Sequence, residues 1–363
     1  MATGPDYVTG LDFLDRSVHY PVIEGSSQMR HAVFVEPGKF EWREAIAPTV
    51  QGATDALVRP VVVGRCDLDV AFARGLLPMP SGAPIGHEII GEVVDIGDDC
   101  GPLRLGQLVF VPAQISCGAC VNCRRGLTGR CSSVPFAASY GMGRDGGFGG
   151  GLADLVRVPF ASAMLTPVPA GVDPVSLVGM ADMATDAWRA VAPHLASHPE
   201  ARVLVLGGMP PVIGLYAVGL AVALGAPLID YVDGNPERAA VARAYGATVV
   251  ERPSAQPYDL IVVAHPTRAA LELAFRSAAP GATVTSVTPT VDGDPQLDTQ
   301  SLYHRGVTWR IGRPDCRHAH DGTLGAWANC GFCADKVPTR QVAWEDAPEA
   351  WTSESLYVAA VRT

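Results

Sequence analysis

The chain lacks several features that would send its reading elsewhere. It has no basic excess: 27 Lys and Arg stand against 37 Asp and Glu, a net charge of -10. Little is therefore available to neutralise nucleic-acid phosphates, and no nucleic-acid partner is expected. It has no apolar run near Met1, where MATGPDYVTGLDFLDRS carries acids instead; no export signal and a cytoplasmic location are expected. It has no unbroken membrane span. Val203 to Ile229 holds no charge but is interrupted at Gly207-Gly208 and Pro210-Pro211, the pattern of a buried strand, a tight turn and a buried helix. Internal repeats and low-complexity tracts are missing as well.

What is present describes a folded chain. With 363 residues, 48% hydrophobic and 18% charged, two domains are the default. Residues 1–28 read as an extension. Short strands follow at His31–Val35, Ala56–Val63, Ile89–Ile96, Val109–Val111 and Ala153–Val158, with Gly and Pro between them. That spacing suggests a β-rich, barrel-like unit. Near Ala181 the texture changes. Strands at Val203–Leu206, Leu228–Val232, Leu260–Val263 and Thr283–Val287 alternate with helices at Val212–Leu224 and Pro236–Tyr245, the rhythm of a parallel sheet covered by helices. Residues 325–363 return to irregular, Pro-punctuated sequence and are expected to rejoin the first unit.

The nine cysteines, in a reducing compartment, favour metal over disulfides where they cluster. Cys117, Cys120, Cys123 and Cys131 follow C-x2-C-x2-C-x7-C. Four thiolates at this density can wrap one Zn²⁺ tetrahedrally with no position left open. Gly118 and Gly126 let the loop bend, and Arg124, Arg125 and Arg130 can offset its charge. Unlinked or paired thiols and an iron–sulfur cluster are the alternatives. Cys66 and His87, 21 residues apart, offer a second and sparser set, with room for a further ligand and for water or substrate. Alone, such a pair is more often two packed residues.

Together these features resemble the zinc-containing medium-chain dehydrogenase/reductase family. The resemblance rests on Cys66 with Asp69, Gly86-His87-Glu88, the four-cysteine loop and a later glycine-rich strand–turn–helix, in that order from about Met29 onward. It implies a GroES-like β-rich catalytic domain (29–180 and 325–363) and a Rossmann doubly wound parallel-sheet cofactor domain (181–324). It implies that Cys66 and His87 hold a catalytic zinc, with Glu88 beside the metal and Asp69 orienting the histidine. The third family ligand is a Cys or an acid at the domain junction, where Asp182 stands; an aspartate starting a helix is the plainer account. Relatives are dimers or tetramers, so a homodimer or homotetramer is expected.

Val203 to Gly208 is an apolar strand entering a glycine turn. Gly207, Gly208, Val212 and Ile213 would bring backbone N–H groups and a helix N-terminus to a pyrophosphate. GGMPPVIG departs from G-x-G-x-x-G by its length and its two prolines. Asp233, 26 residues after Gly207, can accept from ribose hydroxyls and would repel a 2′-phosphate, favouring NAD(H) over NADP(H). Arg238 nearby complicates that preference, and Asp233 also suits a simple turn. His265, ending a strand, faces the cofactor side or caps the next helix.

The implied chemistry is hydride transfer between NAD(H) and a small alcohol or carbonyl compound, with two zinc ions per chain. Proton carriers are missing where relatives have them: those positions hold Leu68 and Ala71, so the proton would leave through water or Asp67. Asp186 stands where relatives commonly place a Thr near the nicotinamide. The alternatives are an iminium or conjugated-double-bond reductase, a non-catalytic relic and a thiol redox switch. Cys316, His318, His320, Cys330 and Cys333 read as packing residues, not as a third metal set, and Trp327, Trp344 and Trp351 as core.

Overall fold

The computed structural model describes residues 27–143 and 147–362. The expected extension therefore lies outside the described residues except for its last two, and Gln28 already opens a strand, Gln28–Glu36.

Six strands form an all-parallel sheet in the order Thr248–Val249, Leu228–Val232, Arg202–Leu206, Tyr258–Val263, Ala278–Ser286, Thr308–Ile311. Counted along its own strands this is 3-2-1-4-5-6, the doubly wound dinucleotide-binding order. The order reverses between Arg202–Leu206 and Tyr258–Val263, and ligands bind such sheets outside the carboxyl ends of the strands at that point. The central strands are aliphatic because both faces are covered. The helix Pro211–Ala223 is apolar all round and buried from Pro211 to Ala221, as a helix within the core must be.

The second sheet is built round Ala56–Gly64. Its order is Thr339–Ala343, Tyr357–Val361, Ala56–Gly64, Glu88–Ile96, Leu108–Val111, Thr166–Pro167, with Val156–Val158 on Ala56–Val58. All its pairings are antiparallel except Thr339–Ala343 with Tyr357–Val361. The register Gly64↔Glu88 has a functional consequence. It sets Cys66, two residues beyond one strand, beside His87, one residue before the other.

Several expectations are corrected. The strand expected at Ala153–Val158 is only Val156–Val158, and Ala153 makes an isolated bridge to His31. The hairpin arm Lys39–Ile46 was not anticipated, because KFEWREAI is too polar to show its one buried residue, Phe40. The segment 325–363 is not irregular: it holds the end of the helix Cys316–Cys330 and two strands. A boundary at 324/325 cuts that helix. Among the described residues no helix is long and apolar enough to cross a membrane.

Candidate metal centres and cofactor turn

Cys66 caps the helix Asp67–Ala73, and its backbone N–H donates to Asp69 Oδ2 at 3.1 Å. His87 immediately precedes the neighbouring strand Glu88–Ile96, and Asp182 precedes the helix Met183–Leu195. The three are buried, and one ligand atom from each lies within 4.8 Å of the others. Cys66 Sγ is 3.3 Å and His87 Nε2 3.6 Å from Asp182 Oδ2. Asp182 makes no capping bond with its side chain, so helix capping does not account for it.

The donor set fits a divalent ion of zinc's kind. Neither ring nitrogen of the wholly buried His87 has a hydrogen-bond partner, and unpaired buried nitrogens are costly. Asp69 Oδ1 stays 3.7 Å from Nδ1. Acids crowd the same volume. Burial pushes Asp67 up to about 7 and, with Asp182 nearby, Glu88 up to about 8. Burial and Asp182 also push the Cys66 thiol well above its ordinary range. A cation among Cys66, His87 and Asp182 would reverse that penalty.

Glu88 braces the site from behind. Its Oε1 accepts from the Asp182 N–H at 2.9 Å and its Oε2 from the Met183 N–H at 3.1 Å. Two further residues stand beside the site: Cys316, which the sequence offers only as a packing residue, and Arg65, which it does not single out. Cys316, fully buried, sets its Sγ 3.0 Å from Asp182 Oδ1, and only tertiary contact reveals this. Arg65, buried beside Cys66, donates to the carbonyls of Trp351, Ser353 and Ser355 and so ties the C-terminal segment to the site. His320 bridges Thr166 Oγ1 and the Ala181 carbonyl at 2.9 Å each.

The four-cysteine loop also gathers. Ligand atoms of Cys117, Cys120, Cys123 and Cys131 lie within 4.8 Å of one another, and no cysteine is in a disulfide. Backbone N–H groups of Cys120 and Cys123 point at the sulfurs of Cys117 and Cys120, at 3.3 and 3.4 Å. Bonding from the Ser132 side chain, then from the Cys123 N–H, brings Cys120 down to about 5. Gly118 and Gly126 have φ of 70° and 79°. A Cβ on Gly126 would lie 2.8 Å from the His318 ring. Arg130 does not face the thiols: it grips Asp315 at 2.9 and 2.8 Å. Arg124 donates to the Ala119 carbonyl. Cys330 and Cys333 stand apart; Cys333 donates to Asp335. Trp344 and Trp351 are buried, and Trp327 is partly so.

At the glycine turn a Cβ on Gly207 would meet the Tyr231 hydroxyl at 2.3 Å, and one on Gly208 the His265 ring at 2.4 Å. His265 Nδ1 pairs with Thr267 Oγ1 at 3.0 Å, just before the helix Arg268–Ser277. The Val212 and Ile213 N–H groups already donate to Asp67 Oδ2, at 2.9 and 3.0 Å. Asp233 receives Arg238 through Nε and Nη2 at 2.6 and 2.7 Å, the Tyr231 hydroxyl at 2.8 Å and the Asn235 N–H at 2.9 Å. Asp186 pairs with Arg189 at 2.5 Å, and burial pushes it up to about 6.

Comparison with known proteins bears on the fold and the family. Residues 52–170 match the alcohol dehydrogenase GroES-like domain. A zinc-type alcohol dehydrogenase B of Aspergillus flavus is 28% identical over 337 residues, 86% of this chain and 76% of that protein. A medium chain reductase/dehydrogenase of an Acremonium species is 30% identical over 226 residues, 61% of this chain and 75% of that protein. The solved alcohol dehydrogenase of Thermus sp. ATN1 superposes with a TM-score of 0.84 at 28% identity, over 92% of this chain and 100% of that one. With its GroES-like unit and 3-2-1-4-5-6 parallel sheet, the chain belongs to the zinc-containing, alcohol-dehydrogenase-like branch of the medium-chain dehydrogenase/reductase family, a family of oxidoreductases.

Proposed function

We propose that the chain moves a hydride between NAD(H) and a small alcohol or carbonyl compound. Residues 29–180 with the C-terminal segment that follows the helix Cys316–Cys330 form the catalytic unit, and the parallel-sheet region between them the cofactor unit. The observation that carries this reading is His87, wholly buried, with two unpartnered nitrogens and the Cys66 thiol and Asp182 carboxylate beside it. Zinc in such a site supplies Lewis acidity, easing proton loss from an alcohol or polarising a carbonyl. Cys66 and Asp182 bring the negative charge and His87 a neutral nitrogen. Asp69, whose Oδ1 lies 3.7 Å from Nδ1, is the side chain placed to orient the imidazole once the ring takes up an ion, and Glu88 holds the backbone that carries Asp182. Cys66, His87 and Asp182 are all buried, so an ion held by them would sit away from bulk water.

A second ion in the four-cysteine loop is structural in this reading, giving two zinc ions per chain. Asp233, just after the second parallel strand, is the residue on which a preference for NAD(H) over NADP(H) rests, and Arg238 balances its charge through both oxygens. Nine unpaired thiols support a reducing, cytoplasmic setting. A homodimer or homotetramer is the proposed assembly.

One observation favours a second reading. Leu68 and Ala71 carry no proton, and Asp67 Oδ2 is taken up by two backbone N–H groups. Reduction of an iminium ion or conjugated double bond needs no alcohol proton relay. A stopped-flow assay of NADH oxidation over ketones, aldehydes, iminium salts and enones, with NAD reduction by alcohols, separates the two. Turnover of the iminium or enone class alone removes the alcohol reading.

A further inference from the structure

The helix Pro211–Ala223 begins at the carboxyl end of the first parallel strand, beside the point where strand order reverses. In this sheet type the free N–H groups of that helix's first turn receive the cofactor's pyrophosphate. Here two of those N–H groups, Val212 and Ile213, are held by one carboxylate oxygen, Asp67 Oδ2, at 2.9 and 3.0 Å. Asp67 is 3% exposed and comes from the other sheet's side of the molecule, directly after Cys66. A carboxylate at a helix N-terminus satisfies the same donors and the same dipole as a phosphate.

The rest of the turn is equally closed by its own side chains. Gly207 lies under the Tyr231 hydroxyl and Gly208 against the His265 ring. Asp233, with a side chain 3% exposed, has both oxygens engaged by Arg238.

We propose that Asp67 is a built-in competitor for the cofactor pyrophosphate, a residue that sets how tightly this chain binds any nucleotide carrying that group. Resting on the cofactor reading above, the inference adds a selectivity device to it. A dinucleotide must displace the Asp67 carboxylate from Val212 and Ile213 or bind against its charge. Either route weakens pyrophosphate-bearing ligands and leaves a nucleoside without phosphates unaffected.

The test is calorimetric titration of the full chain with ADP-ribose, NADH and adenosine, comparing the unaltered protein with Asp67→Asn and Asp67→Gly. Asp67→Gly is expected to tighten ADP-ribose and NADH at least about tenfold, by about 1.4 kcal/mol, with Asp67→Asn between and adenosine unchanged. Equal or weaker ADP-ribose binding in both variants overturns the proposal. If all three proteins bind ADP-ribose alike, only the competitor role falls; if none binds any of the three ligands, the cofactor reading falls with it. Should the variants fail to fold, a crystal structure of the unaltered chain with NADH decides. Asp67 turned away from Val212 and Ile213 supports the proposal, and Asp67 still bonded to both overturns it.

Discussion

Glu88 and Asp182, 94 residues apart in sequence, are joined by a hydrogen bond of 2.9 Å from the Asp182 N–H to Glu88 Oε1. The residue after one candidate metal ligand therefore fixes the backbone of another. Glu88→Gln keeps one acceptor and loses the second, leaving a buried N–H unpaired at a cost of about 1–3 kcal/mol. Bracing residues of this kind typically change metal affinity by about 10–100-fold. Urea unfolding and zinc competition with a chelator should both register the loss. A variant matching the parent in both would show that Glu88 does not position Asp182.

The two thiol-bearing sets predict a metal count. The intact chain should hold two zinc ions by native mass spectrometry, and His87→Ala or Asp182→Asn should hold one. In those variants kcat/KM should fall about a thousandfold, since loss of a Lewis acid removes several kcal/mol of transition-state stabilisation. Cys316→Ala tests whether Cys316 is a neighbour or a ligand. Retention of both ions is the expected result, and loss of one would place Cys316 in the coordination shell.

Arg130 and Asp315 link the four-cysteine loop to the helix that carries Cys316. Arg130 is about a third exposed, so the pair is partly screened, and Asp315→Asn should cost only about 1 kcal/mol. A double-mutant cycle with Arg130→Met measures the coupling. A value of zero would show that this ion pair does not couple the two elements.

His320 predicts acid sensitivity. Burial holds it down at about 4 from an ordinary 6.5, so the folded state binds fewer protons than the unfolded one below 6.5. Its contribution is present above 6.5 and is lost as pH falls through about 4. Between pH 7 and pH 5 the unaltered chain should lose about 2 kcal/mol more than His320→Gln. The comparison between the two proteins is needed because the raised Asp67 and Glu88 act in the opposite direction. Parallel pH profiles would contradict a buried neutral His320.

Gly207 has no room for a side chain, because its Cβ would sit 2.3 Å from the Tyr231 hydroxyl. Gly207→Ala should destabilise by about 1–3 kcal/mol, with part of the loss recovered by adding Tyr231→Phe. Thermal unfolding of the three proteins checks this, and an unaffected single variant would mean that the turn relaxes freely.

The sequence by itself determined whatever depends on local periodicity and short spacing. The strand Leu228–Val232 and the helix Pro236–Tyr245 were legible to the residue, and the four thiols of one loop, close in sequence, have little choice but to be close in space. It also supplied Cys66, His87 and Asp182 as candidates through a family resemblance; no spacing rule links a strand start to a helix start 95 residues later. Only the tertiary structure decided what fills those candidates' surroundings. The register Gly64↔Glu88, the approach of Cys316 to Asp182, the Arg130–Asp315 pair and the seat of Asp67 on Val212 and Ile213 are contacts between elements far apart in the chain. Such contacts follow from packing, which hydrophobic pattern permits but does not specify. For the same reason the polar strand Lys39–Ile46 stayed hidden: it is held by pairing with its neighbour, and not by an apolar face of its own.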